Sequence, residues 1–160
     1  MKNQKMRSLI QTKCLWATLA LSSTAMAAPP PNGASFIKAG AAEIESIRID
    51  AHKTILRYPS RNRAMEINVM KVDGGRSPLN PDRYIYNTLV HFMIYVTKGH
   101  GTFYVDDASY EVGPGDVLDV PPKTRFAVSG ENLEYVTIES PSFFLEQSHI
   151  VDGHNEVREN

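Results

Sequence analysis

Histidine and cysteine are the residue types whose spacing could hold a metal ion or supply a nucleophile, and this chain has few of them. It contains one cysteine and five histidines, namely His52, His91, His100, His149 and His154. Three of the histidines (His52, His149 and His154) show no paired metal-ligand spacing, and His100 lies between two glycines, where exposure is the default. We therefore expect these four side chains on the surface. No Gly-x-Ser-x-Gly segment exposes a serine, so the sequence offers no support for a hydrolase triad.

The N-terminal segment has the three parts of a secretory signal peptide. Basic residues come first, an apolar run follows over residues 14–21, and small residues end in Ala25-Met26-Ala27. The apolar run is far shorter than the roughly 20 residues that span a bilayer. The pattern predicts a signal peptide over residues 1–27, cleavage after Ala27, a periplasmic or secreted location, and no stable membrane anchor after cleavage.

Cleavage would change the charge and the cysteine content of the chain. Residues 1–27 hold four of the 17 Lys and Arg and none of the 18 Asp and Glu, which leaves a net charge of −5. This balance argues against nucleic acid as a partner, since such binding depends on clustered cations. Cys14 leaves with the signal peptide, so the mature chain has no disulfide and no thiolate.

The rest of the chain reads as a single all-β domain followed by a polar tail. Short apolar or alternating runs predict strands at residues 54–58, 65–72, 89–96, 101–105, 109–112, 117–120, 125–128 and 134–139. Residues 28–35 read as a proline-rich linker, residues 36–145 as the β-barrel domain, and residues 146–160 as a polar C-terminal tail that frays. Residues 39–47 are the one stretch with helical character. The Gly- and Pro-rich segment at residues 73–82 predicts a long loop.

The segment from residue 91 to residue 128, HFMIYVTKGHGTFYVDDASYEVGPGDVLDVPPKTRFAV, carries the most specific pattern. Gly99-His100-Gly101 interrupts a strand, Asp106-Asp107 turns the chain back, Gly113-Pro114-Gly115-Asp116 makes a second tight turn, and Pro121-Pro122 ends the next strand. This succession resembles the two motifs of the cupin superfamily. The resemblance implies a cupin-like double-stranded β-helix, a jelly-roll barrel made of two facing sheets.

The resemblance also implies where a metal would be bound, and there the sequence departs from the family. Most cupins hold a divalent metal with three histidines and a glutamate that point into the barrel. Counted from Gly99, the glutamate position is Phe92 and the last histidine position is Phe126. The paired histidines fall on Tyr86 and Thr88, or on Ile85 and Asn87 if the gap is one residue longer. Phenylalanine offers no lone pair to a metal, so we expect no metal and no other cofactor.

These positions would build an apolar pocket instead of a metal centre. Its predicted ligand-binding lining is Tyr86, Thr88, Phe92, Ile94, Phe103 and Phe126. A lining of this kind suits a small organic molecule. The alternative is a barrel interior filled by the same aromatic side chains, because inward aromatics usually belong to the core. His91 neighbours Phe92 and therefore points away from the barrel centre.

Three functional hypotheses follow from this reading. The first is an exported, metal-free, cupin-like protein that binds a small organic molecule inside the barrel and is not an enzyme. The second is an enzyme, either a metal-dependent oxygenase or isomerase type that uses His91, His100 and an Asp as ligands, or an acid–base type that uses Tyr86 or Arg125. The third is a structural module with a filled barrel. Three bulky residues, Phe143, Phe144 and Leu145, are expected to pack across the barrel base or against a partner subunit, and the resemblance implies a homodimer formed through the sheets.

Overall fold

A computed structural model describes residues 35–60 and 63–153 of the chain. The chain divides into two units, Met1–Phe36 and Ile37–Asn160. Of the first unit only Ser35 and Phe36 are described, so the predicted signal peptide and almost all of the predicted linker lie outside the described residues. Across the two described ranges, no helix is both long enough and apolar enough to cross a membrane.

The described residues of the second unit form ten strands. They are β1 (Glu45–Arg48), β2 (Lys53–Arg57), β3 (Glu66–Val72), β4 (Gly75–Ser77), β5 (Arg83–Asn87), β6 (His91–Val105), β7 (Ala108–Val112), β8 (Val117–Val120), β9 (Arg125–Ser140) and β10 (Ser148–Asp152). A short 3-10 helix, Leu145–Gln147, precedes β10. The predicted all-β class is confirmed.

Two long strands, β6 and β9, connect the two halves of the barrel. The two strands pair antiparallel along almost their whole length, from His91 opposite Ser140 to Val105 opposite Phe126. The C-terminal half of β9 also pairs with β3, while its N-terminal half pairs with β4 and β5. Strands β7 and β8 pair with the two ends of β6. The outcome is a curled, ten-stranded sheet whose inner face encloses the core.

Alternation along β6 explains which side chains form that core. Phe92, Ile94 and Val96 are buried, whereas the residues between them are exposed. Phe103 is fully buried farther along the same strand and meets Tyr135 of β9 edge to face, with ring centroids 5.1 Å apart. Successive inward residues of β6 and β9 thus pack one end of the barrel solidly.

The strand predictions are confirmed for the central part of the chain. Strand β8 has the predicted bounds. The strands predicted at residues 89–96 and 101–105 are joined in the single strand β6, and those predicted at residues 125–128 and 134–139 are joined in the single strand β9. Gly99 allows β6 to continue, because its φ of +74° and a shift of register accommodate the break within the strand.

Three predictions are wrong, namely a helix near the start of the domain, a long loop within it and its C-terminal boundary. Residues 39–47 form turns and the start of β1 rather than a helix, and the expected loop at residues 73–82 contains β4. The domain also does not end at residue 145, because β10 pairs along its whole length with β5, from Ser148 opposite Asn87 to Asp152 opposite Arg83. Residues 148–152, in which Ile150 and Val151 lie between polar residues, complete the sheet, so only residues 154–160 of the predicted tail are left outside the described part.

Candidate functional site

A cavity of about 460 Å³ opens at the end of the barrel that the packed core does not fill. Its inner wall comes from β2, β3, β5, β6 and β9, and its mouth from β10 and the segment that precedes it. Phe92 and Phe126 form an aromatic corner on the wall, with ring centroids 4.7 Å apart and an edge-to-face angle of 62°. A volume of this size accommodates a small metabolite.

A cluster of polar side chains lines one side of this cavity. We call Arg57, Glu66, Asn68, Thr137 and Glu139 the polar cluster. On the facing strands β3 and β9, Glu66 is opposite Glu139 and Asn68 is opposite Thr137. Because strand residues two apart share a face, this register brings all four side chains to the inner face together.

Hydrogen bonds connect the polar cluster into one network. Arg57 Nε donates to Glu66 Oε1 at 2.9 Å, and Arg57 Nη2 donates to Glu66 Oε2 at 3.3 Å. Asn68 Nδ2 donates to both carboxylates, at 3.0 Å to Glu66 Oε1 and 3.2 Å to Glu139 Oε1. Thr137 Oγ1 donates to Glu139 Oε1 at 2.8 Å. Two carboxyl groups can therefore lie inside the barrel because one arginine, one amide and one hydroxyl donate to them.

Several oxygens around the cavity have no partner within the described residues. They are Asn68 Oδ1, Asn87 Oδ1 and Glu139 Oε2, all buried. A buried acceptor without a donor typically costs about 1–3 kcal/mol. The three atoms are closed to a water-sized molecule in this structure, but their side chains line the cavity, so hydroxyl or N–H donors of a bound molecule would reach them after a small side-chain rotation.

The pKa values of two ionisable groups of the cavity, Lys53 and Glu139, are shifted towards the neutral form. Burial lowers the pKa of Lys53 to about 8, although the nearby charges of Glu139 and Asp50 act in the opposite direction. Burial also raises the pKa of Glu139, and Glu66 adds to that effect, against the hydrogen bonds from Thr137 and Asn68. Both shifts favour the neutral form of the side chain, compared with a solvated lysine and a solvated glutamate.

The predicted ligand-binding residues divide into three groups in the structure. Phe92 and Phe126 line the cavity, as expected. Ile94 and Phe103 are buried in the packed core beside it. Tyr86 and Thr88 were expected to line the cavity, and this is wrong: Ile85 and Asn87 do so, and since neighbours on a strand face opposite ways, Tyr86 points elsewhere.

Tyr86 and Thr88 both have a structural role. Tyr86 is buried, and the backbone N–H of Thr88 donates to the Gln147 carbonyl at 2.9 Å. The polar cluster and Lys53 were not predicted from the sequence at all. A signal was present in the pairs Glu66-x-Asn68 and Thr137-x-Glu139, each of which places two polar side chains on one face of a strand whose neighbours are apolar.

The metal-ligand positions of the family do not fit a metal in this barrel. Of the four positions that face the cavity, Phe92, Phe126 and Ile85 carry no donor atom, and Asn87 offers a neutral amide alone. Across residues 35–60 and 63–153, no group of three His, Cys, Asp or Glu side chains converges on a point where a metal ion would fit.

The four histidines that the structure describes lie outside this inner wall. His91 is exposed, as expected, and pairs with Asp119 on the outer face of the barrel. His100 is exposed in an open groove at residues 74–75, 100–102 and 129–131, nine positions along β6 from His91. At about 3.3 Å per residue they are roughly 30 Å apart, so they do not form a common site. His149, expected on the surface, is exposed at the cavity mouth, and His154 lies outside the described residues.

Arg125, which the enzyme hypothesis invoked, and the apolar residues after β9 lie at different places in the structure. Arg125 bonds to the Gly153 carbonyl and lies near Asp106, away from the cavity wall. Phe143, Phe144 and Leu145 line the cavity mouth, where Leu145 remains 75% exposed. The cavity itself shows that this end of the barrel is not filled.

Comparison with known proteins supports the same fold. Residues 91–155 match the family model of the AraC-like ligand binding domain. Among solved structures, the Streptomyces nucleoside dehydratase Pac13 is 22% identical, with a TM-score of 0.62, and the alignment covers 74% of this chain and 92% of that one. A Pac13 variant has been solved with uridine, at 22% identity, a TM-score of 0.63, and coverage of 74% and 93%.

A more distant neighbour is an RmlC-like cupin from Shewanella frigidimarina, which is 18% identical with a TM-score of 0.52, covering 62% of this chain and 86% of that chain. No curated protein matches the chain. The jelly-roll topology, the ligand-binding family model and these neighbours agree with the Gly-x-Gly and Pro-Gly-Asp turns of the sequence. The chain therefore has the jelly-roll fold of these cupins, and its residues 91–155 are similar to the AraC-like ligand binding domain.

Proposed function

We propose that this protein binds a small organic molecule in the barrel cavity and does so without a metal ion. The observation that carries the proposal is the set of three buried acceptor oxygens, Asn68 Oδ1, Asn87 Oδ1 and Glu139 Oε2, beside the aromatic corner of Phe92 and Phe126. The oxygens call for a ligand with several hydroxyl or N–H donors. The two rings offer such a ligand a flat apolar surface.

Nucleosides and sugars have this combination of donors and flat or apolar faces. The Pac13 variant solved with uridine shares the fold, which makes uridine a suitable first probe for this cavity. Shared fold alone does not transfer the dehydratase activity, because function depends on the residues of each site.

The test measures bound metal and thermal stability of the same purified protein. Elemental analysis should find no stoichiometric metal, and a screen with uridine, monosaccharides and small organic acids should raise Tm, since a ligand that binds only the folded state stabilises it. Replacing Asn87 by Leu should abolish that rise without unfolding the protein. One tightly bound divalent metal per chain, or stabilisation by metals alone, would contradict the proposal.

We further propose that the protein is exported and that the mature chain starts at Ala28. Support comes from the order of basic, apolar and small residues over positions 1–27. Mass spectrometry of the protein recovered from a periplasmic extract or the medium should give the mass of residues 28–160. Recovery of the full-length chain from the cytoplasm alone would contradict export.

We also propose that the protein forms a homodimer through the outer face of the sheet. Ile67, Ile138 and Met93 are direct neighbours on β3, β9 and β6, and each is 41–50% exposed. Such a row of exposed apolar side chains across three strands is typical of an interface between subunits. Sedimentation should show a dimer that Ile138→Lys converts to a monomer, and a monomeric wild-type protein would exclude this interface.

A further inference from the structure

Lys53 differs from every other lysine that the structure describes. It is 5% exposed, whereas Lys38, Lys71, Lys98 and Lys123 are all exposed. Asp50 Oδ1 accepts a hydrogen bond from the Lys53 backbone N–H at 2.9 Å, which fixes the start of β2. From there the side chain lines the cavity, and its Nζ lies 5.9 Å from the centroid of the Phe126 ring.

The amino group of Lys53 has no polar partner in residues 35–60 and 63–153. Nζ makes no hydrogen bond to these residues, and none of their carboxylate oxygens lies within 4 Å of it. A buried ammonium normally needs such partners, because its desolvation is costly. Burial instead lowers the pKa of Lys53 to about 8, so near neutral pH a larger fraction of Lys53 than of a solvated lysine is the uncharged amine that attacks carbon.

Other charged groups that face Lys53 leave this amine available. Arg57 and Glu66 neutralise each other in a direct pair, and Asp50 accepts hydrogen bonds from Ser77 Oγ and from two backbone N–H groups. His149 lies at the cavity mouth on β10. Glu139 is the remaining ionisable group of the wall, and its charge interacts with that of Lys53 without a contact between them.

Glu139 is arranged to give and take a proton inside the cavity. Asn68 and Thr137 hold its Oε1, while its Oε2 is buried without a partner among the described residues. Burial raises the pKa of this carboxyl, so it retains a proton at a higher pH than a solvated glutamate. An amine and a carboxyl that retains its proton to a higher pH than usual, in one small cavity, are the groups that condensation of an amine with a carbonyl compound requires.

We propose that Lys53 Nζ forms an imine with the carbonyl carbon of a small aldehyde or ketone bound in the barrel cavity. The amine nitrogen bonds to the carbonyl carbon and one of its two protons passes to the carbonyl oxygen, which gives a neutral carbinolamine. Glu139 then protonates the hydroxyl, the C–O bond breaks and water leaves, and the resulting iminium returns its N–H proton to the Glu139 carboxylate, which leaves a neutral imine and a regenerated acid. No oxidant or reductant takes part. This inference rests on the proposed binding of organic molecules in the same cavity.

The test is competitive labelling of the five lysines of residues 28–160 with glycolaldehyde and sodium cyanoborohydride, which reduces an imine to a stable amine. Peptide mass spectrometry then gives the rate at each lysine. At pH 7.5, Lys53 should react at least about tenfold faster than Lys71 and Lys98, because a larger fraction of it is uncharged. Its rate should rise through about pH 8, whereas the rates of exposed lysines rise through about pH 10.5.

Two variants separate reactivity from mere accessibility. Glu139→Gln keeps the shape but removes the acid, so Lys53 labelling should slow while labelling of Lys71 and Lys98 stays unchanged. Thr137→Val, which retains the carboxyl and removes one of its hydrogen bonds, should have a smaller effect and covers the case in which Glu139→Gln does not fold. Lys53 labelling no faster than that of the exposed lysines in the folded wild-type protein would overturn the inference.

Failure of this inference is distinguishable from failure of the proposed function. If uridine or another organic probe raises Tm while Lys53 stays unlabelled, the cavity binds ligands and the imine chemistry is excluded. If no organic probe raises Tm and Lys53 stays unlabelled, both proposals are wrong. A probe that raises Tm should also protect Lys53 from glycolaldehyde, which places the two events in the same cavity.

Discussion

A single ion pair allows a carboxylate to lie inside the barrel, and its removal tests how that charge is tolerated. Glu66 is 4% exposed and Arg57 is 39% exposed, with Arg57 Nε 2.9 Å from Glu66 Oε1. Arg57→Met would leave the buried carboxylate without its counter-charge, so we expect a loss of about 3 kcal/mol in the free energy of unfolding. Urea unfolding at pH 7 measures this loss.

The matched control for that substitution is Lys71→Met. Lys71 pairs with Glu134 at 3.6 Å on the outer face of β3 and β9, where both side chains are accessible to solvent. Exposed pairs of this kind contribute about 0–1 kcal/mol. Similar losses for the two variants would show that burial of Glu66 is not what makes the Arg57 contact important.

Individual site residues were predictable from the sequence only where a motif fixed their register. Phe92 and Phe126 lie a fixed distance from the Gly-x-Gly and Pro-Pro turns, and both line the cavity. Tyr86 was placed across a gap of variable length, and a slip of one residue reverses the face of a strand residue. Their binding role stays a prediction.

The polar cluster was missed because its pattern is the reverse of an ordinary strand. At one end of β3 and β9, Glu66 and Glu139 point inward while Ile67 and Ile138 are exposed. The usual inference from alternation assigns the apolar residues to the core. In this barrel the inner face serves a cavity, and the outer apolar face is the one we propose as a subunit interface.

At the scale of elements, Gly99 is the position on which the shape of β6 depends most sharply. Its φ is +74°, and a Cβ at this residue would lie 2.1 Å from the Asn132 carbonyl oxygen of β9. Gly40 has the same φ, but no atom lies within 4 Å of the position that a Cβ would take there. Gly99→Ala should therefore destabilise the fold by about 3 kcal/mol and Gly40→Ala by about 1 kcal/mol, as measured by urea unfolding.

The comparison of the two glycine variants separates conformation from contact. Both substitutions carry the penalty of a positive φ, so the difference between them reports the clash with the Asn132 backbone alone. If Gly99→Ala and Gly40→Ala lower the free energy of unfolding equally, β9 can move away from β6 at this point without cost. The tight pairing of β6 with β9 would then not hold there.

The bounds of a strand were predictable where turn residues enclose an apolar run. They were not predictable where a segment is a strand only because it pairs with a neighbouring strand. Strand β8 is enclosed by Gly-Asp and Pro-Pro turns, and its bounds were predicted correctly. Strand β10 is the opposite case, because it lies in a largely polar C-terminal segment without a turn motif to bound it, and its strand form depends on the pairing with β5. Gln147 fixes this region further, since its side-chain Oε1 accepts hydrogen bonds from the backbone N–H groups of Leu89 and Val90.

At the scale of the whole molecule, the buried amine in the cavity should make stability depend on pH in a defined window. The pKa of Lys53 is about 8 in the folded protein and 10.5 in its ordinary, solvated state. Between these values the unfolded chain binds more protons than the folded one, so the contribution of Lys53 makes the free energy of unfolding rise with pH. Below pH 8 the full penalty, about 3 kcal/mol, is present.

Lys53→Met should remove that penalty and with it the dependence on pH. We expect the variant to be more stable than the wild type at pH 7, by up to about 3 kcal/mol, and the two proteins to converge as the pH rises from 8 towards 10.5. Glu139 acts with the opposite sign, because a raised pKa adds stability that is lost as the pH rises through it, but this occurs in both proteins. Urea unfolding at several pH values, with the exposed Lys71→Met as the control, measures the difference. Parallel curves for wild type and Lys53→Met would show that the amine is solvated, and the cavity would then be open to water where the structure places an enclosed wall.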